Sequence, residues 1–199
     1  MSAELIDSAG DLAAPRTMDA MRGTNFVAGR RWLRDHALEE RYLDAMTADV
    51  RHAITMLDAA DWAPMSVVMP HYAALDALGM SHEARLALGG WVSGHINGVV
   101  LSTIARLAGG VGLSPFVPLS RAAKLFARNF RHGAVGVYKI GAAEARMEVL
   151  GCPMAASISH REHVVGALAH GAEPFASHVQ VIELSAARTA SSYAIRVKW

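Results

Sequence analysis

Hydrophobic positions change their spacing once along this chain, and the change divides it into two parts. From Thr24 to His36, Phe26, Val27, Trp32 and Leu33 recur at helical spacing with Arg30, Arg31 and Arg34 around them, which predicts a first helix. A second is predicted over 39–57, where Leu43, Met46, Val50, Ile54 and Leu57 fall three and four apart and acidic residues crowd the first turn. Trp62, Pro64 and Met65 mark a turn, after which 65–78 forms a third helix, kinked near Pro70 and ended by Gly79. Ser81 is a natural N-cap for a long fourth helix running to about Leu107, where Gly109 and Gly110 stop it. The fifth follows Pro118, capped by Ser120, with Ala123, Leu125, Phe126 and Phe130 inward, and ends at Gly133.

Beyond Gly133 the period becomes two. Ala145, Met147 and Val149 alternate with Glu144, Arg146 and Glu148, and Val135 and Val137 supply a partner strand across a turn at Gly141. A sixth helix is predicted over 157–170, then strands over 179–184 and 193–199. In the last strand Tyr193, Ile195, Val197 and Trp199 share one face, and Arg196 and Lys198 the other. The expected class is therefore α+β, five N-terminal helices followed by a C-terminal antiparallel ββαββ unit.

Composition narrows the function classes. A chain of 199 residues, 52% hydrophobic and 19% charged, is long enough for one core and too apolar to be disordered. Residues 1–17 read as a flexible leader and 18–199 as a single domain. The formal charge of +1 gives no general affinity for nucleic acid or anionic membranes. The stretch from Leu86 to Leu107 is interrupted by His95, Asn97 and Arg106, so no membrane span is expected. With Cys152 as the only cysteine and no basic-apolar targeting signal, a cytoplasmic location is expected.

The most informative local feature lies in the long helix. Gly90, Gly94 and Gly98 recur every four residues, with Gly89 beside the first, although glycine inside a helix costs about 1 kcal/mol relative to alanine. Such a stripe serves either close helix packing or the seating of a flat ligand, with Trp91 and His95 as neighbours that could stack on it or bond it. Met56, Met65, Met69 and Met80 suit an adaptable apolar lining and an ordinary core equally well. His160, Glu162, His163 and His170 hint at a metal site, but Ile158, Val165 and Leu168 define an opposite apolar side, so these histidines are expected to face water and no metal is expected. Arg121, Lys124, Arg128, Arg131 and His132 read as a solvated basic face. The glycines from Gly109 to Gly112 lack the lysine and hydroxyl of a phosphate loop, and no acid, base and nucleophile stand together, so no catalytic residue is named.

Particular residues carry a resemblance. Arg22-Gly23-Thr24-Asn25-Phe26 at the first helix, Gly98 in the long one, the run Leu125 to Arg131, Gly166 and the apolar last strand resemble the superfamily of 4-vinyl reductase-like and heme nitric oxide/oxygen-binding-like (H-NOX) domains. The nearest likeness within it is to an uncharacterised bacterial family of stand-alone proteins. The resemblance implies a domain with an apolar cavity between helices and sheet that binds a small molecule and signals to a partner. Two family features are missing. Ser185 and Ser192 stand where 4-vinyl reductase-like domains carry zinc-binding cysteines. The Tyr-x-Ser-x-Arg motif that holds heme propionates in the H-NOX relatives is absent, since Tyr138-Lys139-Ile140-Gly141 and Tyr193-Ala194-Ile195-Arg196 both fail it.

The expected function is non-catalytic, sensor-like binding of an apolar or aromatic small molecule, lined by Met69, Tyr72, Trp91, Gly94, His95 and Gly98. One alternative is a protein-interaction or scaffold domain acting as a homodimer. A further alternative is a tetrapyrrole (heme) sensor with His95 as axial ligand.

Overall fold

The computed structural model describes residues 3–108 and 114–199, with the backbone alone at 99–102 and 104–108. Its architecture is α+β, with eight α-helices and two antiparallel sheets among the described residues. The five-stranded sheet has the order β1-β5-β6-β8-β7, and a small sheet has the order β3-β2-β4.

The period-two segment folds as its pattern dictates. Strands β5 (Ala134–Gly141) and β6 (Glu144–Leu150) form a hairpin, and Ala145, Met147 and Val149 are buried while Glu144, Arg146 and Glu148 stay partly exposed. Strand β8 (Ser192–Lys198) lies beside β6 and buries Tyr193, Ile195 and Val197, and β7 (Gln180–Glu183) closes that edge. Helix α8 (Ile158–Ala172) connects the pairs, with the Ser157 hydroxyl accepting from the His160 amide at 3.2 Å.

The helical part departs from the five-helix expectation. Helix α1 (Gly23–Asp35) stands as predicted, but the second helix divides into α2 (Glu39–Asp44) and α3 (Ala48–Met56). The division falls before Thr47, whose backbone is extended at ψ 156°; on one straight helix Tyr42 and Ile54 would lie about a third of a turn apart, and the break lets both reach the core. Helix α4 (Met65–Ala77) carries Pro70 in its interior and ends before Gly79, which adopts the left-handed φ of 64°. Helix α5 (His82–Ala108) begins with the Ser81 hydroxyl accepting from the Ala84 amide; its expected stop at Gly109 and Gly110 lies outside the described residues.

The fifth helix also divides, into α6 (Phe116–Leu119) and α7 (Ala122–Asn129). Ser120 does not cap α7, because its hydroxyl donates back to the Val117 carbonyl. The Asp7 carboxylate accepts from the Ala123 amide at 2.9 Å instead. Asp7 belongs to β1 (Glu4–Ala9), an edge strand on β5 formed within the stretch read as a leader. Strands β2 (Ala20–Arg22), β3 (Trp62–Pro64) and β4 (Phe130–Arg131) were likewise not foreseen; at two or three residues each they are too short to show a period.

Helices α5 and α8 meet backbone to backbone. A Cβ on Gly89 would collide with the His163 carbonyl, and one on Gly166 with the Leu86 carbonyl. Because α8 is packed against α5 as well as the sheet, the expectation that its histidines face water fails for His160 and His163 and holds only for His170, which is exposed. His160 is completely buried, His163 lies against Tyr72, and Ile158, expected inward, is 40% exposed. No helix among the described residues is long and apolar enough to cross a membrane.

Candidate functional site

The first turn of α1, the middle of α5, and helices α7 and α8 line a half-open interior cavity of about 130 Å³. Helical spacing puts Val92, Ser93, Ile96 and Asn97 on one side of α5; α7 contributes Leu125, Phe126 and Asn129; and α8 contributes His163, Val164, Ala167 and Leu168. Tyr72 of α4, Asn25 of α1 and Met147 of β6 complete the wall. Asn25 and Asn129 come from segments far apart in the chain and bond each other, Nδ2 of Asn25 donating to Oδ1 of Asn129 at 3.2 Å. Asn129 Nδ2 in turn donates to the Leu125 carbonyl, and Asn25 Nδ2 also reaches that of Arg22.

A group of aromatic and imidazole rings stands behind this wall. Tyr72 touches His71, His160 and His163 edge-on, with centroids 4.8, 4.8 and 6.5 Å away. The Tyr42 hydroxyl meets Nδ1 of His71 at 2.6 Å, and Tyr193 meets Nε2 of His160 at 2.9 Å, where the Cys152 sulfur also lies at 3.4 Å. Burial, with repulsion from His163, lowers His71 and His160 to about 3, and burial alone lowers His163 to about 4, so all three are neutral near pH 7. Burial also pushes the Cys152 thiol up to about 12. Nδ1 of His160 and Nδ1 of His163 are shielded from solvent and lack hydrogen-bond partners among the described residues.

A second concavity, of about 750 Å³, opens on the surface between α1, α5 and α8. Its wall includes Trp32, Trp91, His95, His170 and Glu173 over a floor of Gly90, Gly94 and Gly166. The Trp91 and His95 rings lie 4.1 Å apart, and Nδ1 of His95 is 3.0 Å from the Trp91 carbonyl. A Cβ on Gly94 would come within 3.0 Å of Nε2 of His170, so the stripe makes room for that imidazole.

The structure thus separates the residues singled out in the sequence. Tyr72 lines the interior cavity, whereas Trp91, Gly94 and His95 line the outer groove. Met69 is 39% exposed on α4, Gly98 has open space where a side chain would be, and neither lines either concavity. His163, Asn97, Asn25 and Asn129 were missed as lining residues, although the last two sit within the motifs that carried the family resemblance. The suspected metal trio diverges: His160 meets Tyr193 and Cys152, while Glu162 pairs with Arg85 and with His82. No group of three metal-binding side chains occurs among the described residues.

Superposition on solved structures decides the fold. A single-site variant of the iron(II) unliganded H-NOX protein from K. algicida aligns with a TM-score of 0.65 at 14% identity, covering 89% of this chain and 96% of that one. The chain has the H-NOX fold. An oxygen-binding H-NOX domain related to soluble guanylate cyclases aligns at a TM-score of 0.55 and 12% identity, over 89% of this chain and 94% of that one. A variant of the T. tengcongensis H-NOX protein aligns at 0.54 and 12%, over 89% and 97%. No protein-family model and no curated protein matches the sequence.

An H-NOX fold raises the question of heme. His163 could offer a ring nitrogen in the interior cavity, but about 130 Å³ falls well short of the roughly 300 Å³ at which ligand pockets begin. Among the described residues the lining also contains no arginine or lysine to receive propionates. The interior cavity, as its described residues line it, therefore does not fit heme.

Proposed function

We propose that the chain is a cytoplasmic, non-catalytic sensor domain that takes a small apolar or aromatic molecule into the interior cavity. The observation that carries this is a cavity walled mainly by apolar side chains from α5, α7 and α8. Its size suits a single ring, since a dry cavity of about 150 Å³ holds benzene. Occupancy would act on α7, a helix of eight residues whose Leu125, Phe126 and Asn129 all face the guest, and a partner or second copy would read that change. A finer kinship with 4-vinyl reductase-like domains is part of the proposal and rests on Arg22 to Phe26, Gly98, Leu125 to Arg131 and Gly166.

Toluene titration followed by ligand-observed NMR and thermal unfolding tests the reading. Saturable binding is expected, with stabilisation of about 2.7 kcal/mol at a hundredfold excess over Kd. Ala167→Leu, which puts a larger side chain into the cavity, should abolish binding and leave the fold intact. Absence of saturable binding in the wild type would refute the cavity as a ligand site.

Tetrapyrrole binding is a second reading. It is favoured by an H-NOX neighbour in which the function of heme distortion was probed, and by His95. With the proton on Nδ1, bonded to the Trp91 carbonyl, Nε2 of His95 is left bare in the outer groove, the arrangement common for metal-ligating histidines. Heme titration should then give a shifted Soret band that is lost in His95→Ala; an unchanged spectrum on mixing excludes it.

A further inference from the structure

We infer that the guest of the interior cavity is an uncharged molecule with an apolar body and one hydrogen-bonding edge, and that Ser93 and Asn97 of α5 read that edge. The inference rests on the cavity being a ligand site and adds the chemical class of its occupant and the residues that select it.

Ser93 and Asn97 stand four residues apart on one helix and both line the cavity, so their side chains share one side of α5, about 6 Å apart along its axis. Ser93 is only 8% exposed, and it also borders an adjoining space of about 50 Å³ between α5, α6, α7 and α8. Neither the Ser93 hydroxyl nor the Asn97 carboxamide has a hydrogen-bond partner among the described residues, and neither is sealed from solvent as Nδ1 of His163 is. The other carboxamides and the hydroxyl of the wall are already engaged. Asn25 and Asn129 spend amide N–H groups on each other and on backbone carbonyls, and the Tyr72 hydroxyl donates to the Met21 sulfur at 3.7 Å. Val92, Ile96, Leu125, Phe126, Val164 and Leu168 make the surroundings apolar.

That distribution decides what the cavity accepts. Water can reach both side chains of the α5 pair through a half-open cavity. A hydrocarbon guest would take that water away and return no hydrogen bond, whereas a guest with a polar group against α5 replaces what it displaces. A hydroxyl and a carboxamide each donate and accept, so the edge they read is a neutral hydrogen-bonding group of either sense. Among the described residues no aspartate, glutamate, lysine or arginine lines the cavity, and an ionic guest would leave water without a counter-charge.

Phenol, aniline and toluene carry a hydroxyl, an amino and a methyl group on the same ring, so they compare edges at nearly constant size; benzoate is the charged control. At pH 7 phenol and aniline should each bind wild type more tightly than toluene, and benzoate should bind more weakly than phenol. Ser93→Ala and Asn97→Leu should each lower the phenol-to-toluene affinity ratio by about three- to tenfold. Toluene should meanwhile bind both variants at least as tightly as wild type, an opposite response that a damaged fold would not give. In unmodified protein the side-chain amide nitrogen of Asn97 should shift further with phenol than with toluene, a readout that does not depend on the variants folding. Toluene bound as tightly as phenol and aniline would overturn the polar edge, and a preference for phenol that survives both substitutions would overturn the assignment to Ser93 and Asn97; either result leaves the cavity reading standing. Benzoate bound as tightly as phenol would overturn the uncharged class. No saturable binding of phenol, aniline or toluene would overturn the cavity reading as well.

Discussion

His160 has no contact with solvent, and His71 is 3% exposed, so each is held neutral by the interior that surrounds it. His163, at the cavity wall, is lowered as well. All three have folded values, about 3, 3 and 4, that lie below the ordinary 6.5. Below pH 6.5 the unfolded chain binds protons that the folded chain refuses. Stability is thus fully present above about pH 6.5 and falls as pH drops from there toward 4 and 3, by up to about 1.4 kcal/mol per pH unit for each histidine. Urea melts at pH 7, 6 and 5 should show this as a progressive loss that steepens below 6.5. Replacing His71 with Gln should make the slope shallower; a slope unaffected by that change would remove His71 from the cause.

The glycines of α5 are not equivalent, and the difference is one of packing between helices. Gly89 faces the His163 carbonyl, and Gly166 across the interface faces the Leu86 carbonyl, so a methyl group at either site must force two backbones apart. Gly98 has nothing within 4 Å of the position a Cβ would take. Gly166→Ala should therefore cost about 1–3 kcal/mol, whereas Gly98→Ala should add about 1 kcal/mol through helix propensity. Denaturant melts of the two variants beside wild type check both signs. From sequence the stripe was one feature with two readings; in the structure Gly89 serves helix contact, Gly90 and Gly94 accommodate His170, and Gly98 serves neither. Spacing along one helix shows which residues share a side, but not which neighbour lies opposite.

For the molecule as a whole, the parts legible in the sequence were those governed by local periodicity. The hairpin of β5 and β6, the last strand, and the extents of α1, α5 and α8 follow from alternation or helical spacing and from hydroxyl caps at Ser81 and Ser157. The edge strand holding Asp7, the small sheet and the breaks within the second and fifth predicted helices depend on contacts between distant segments, which no window of sequence contains. The site divided for the same reason. Tyr72 lies in the cavity wall, and Asn25 and Asn129 meet there only because α1 and the end of α7 are brought together at β2 and β4. Sidedness failed in part on α8, where His160 and His163 lie against a second layer while His170 is exposed.

The contact between Cys152 and His160 has a practical consequence. The sulfur is fully buried, its proton is held tightly, and it is the sole thiol in the chain. Alkylating reagents can therefore capture it only in molecules whose interior has transiently come apart, at a speed set by how often that happens. Under native conditions the modification rate should rise steeply with urea and slow when the interior cavity is filled, which turns one residue into a built-in gauge of breathing. Rapid capture that ignores urea would mean that a path to the sulfur exists without unfolding.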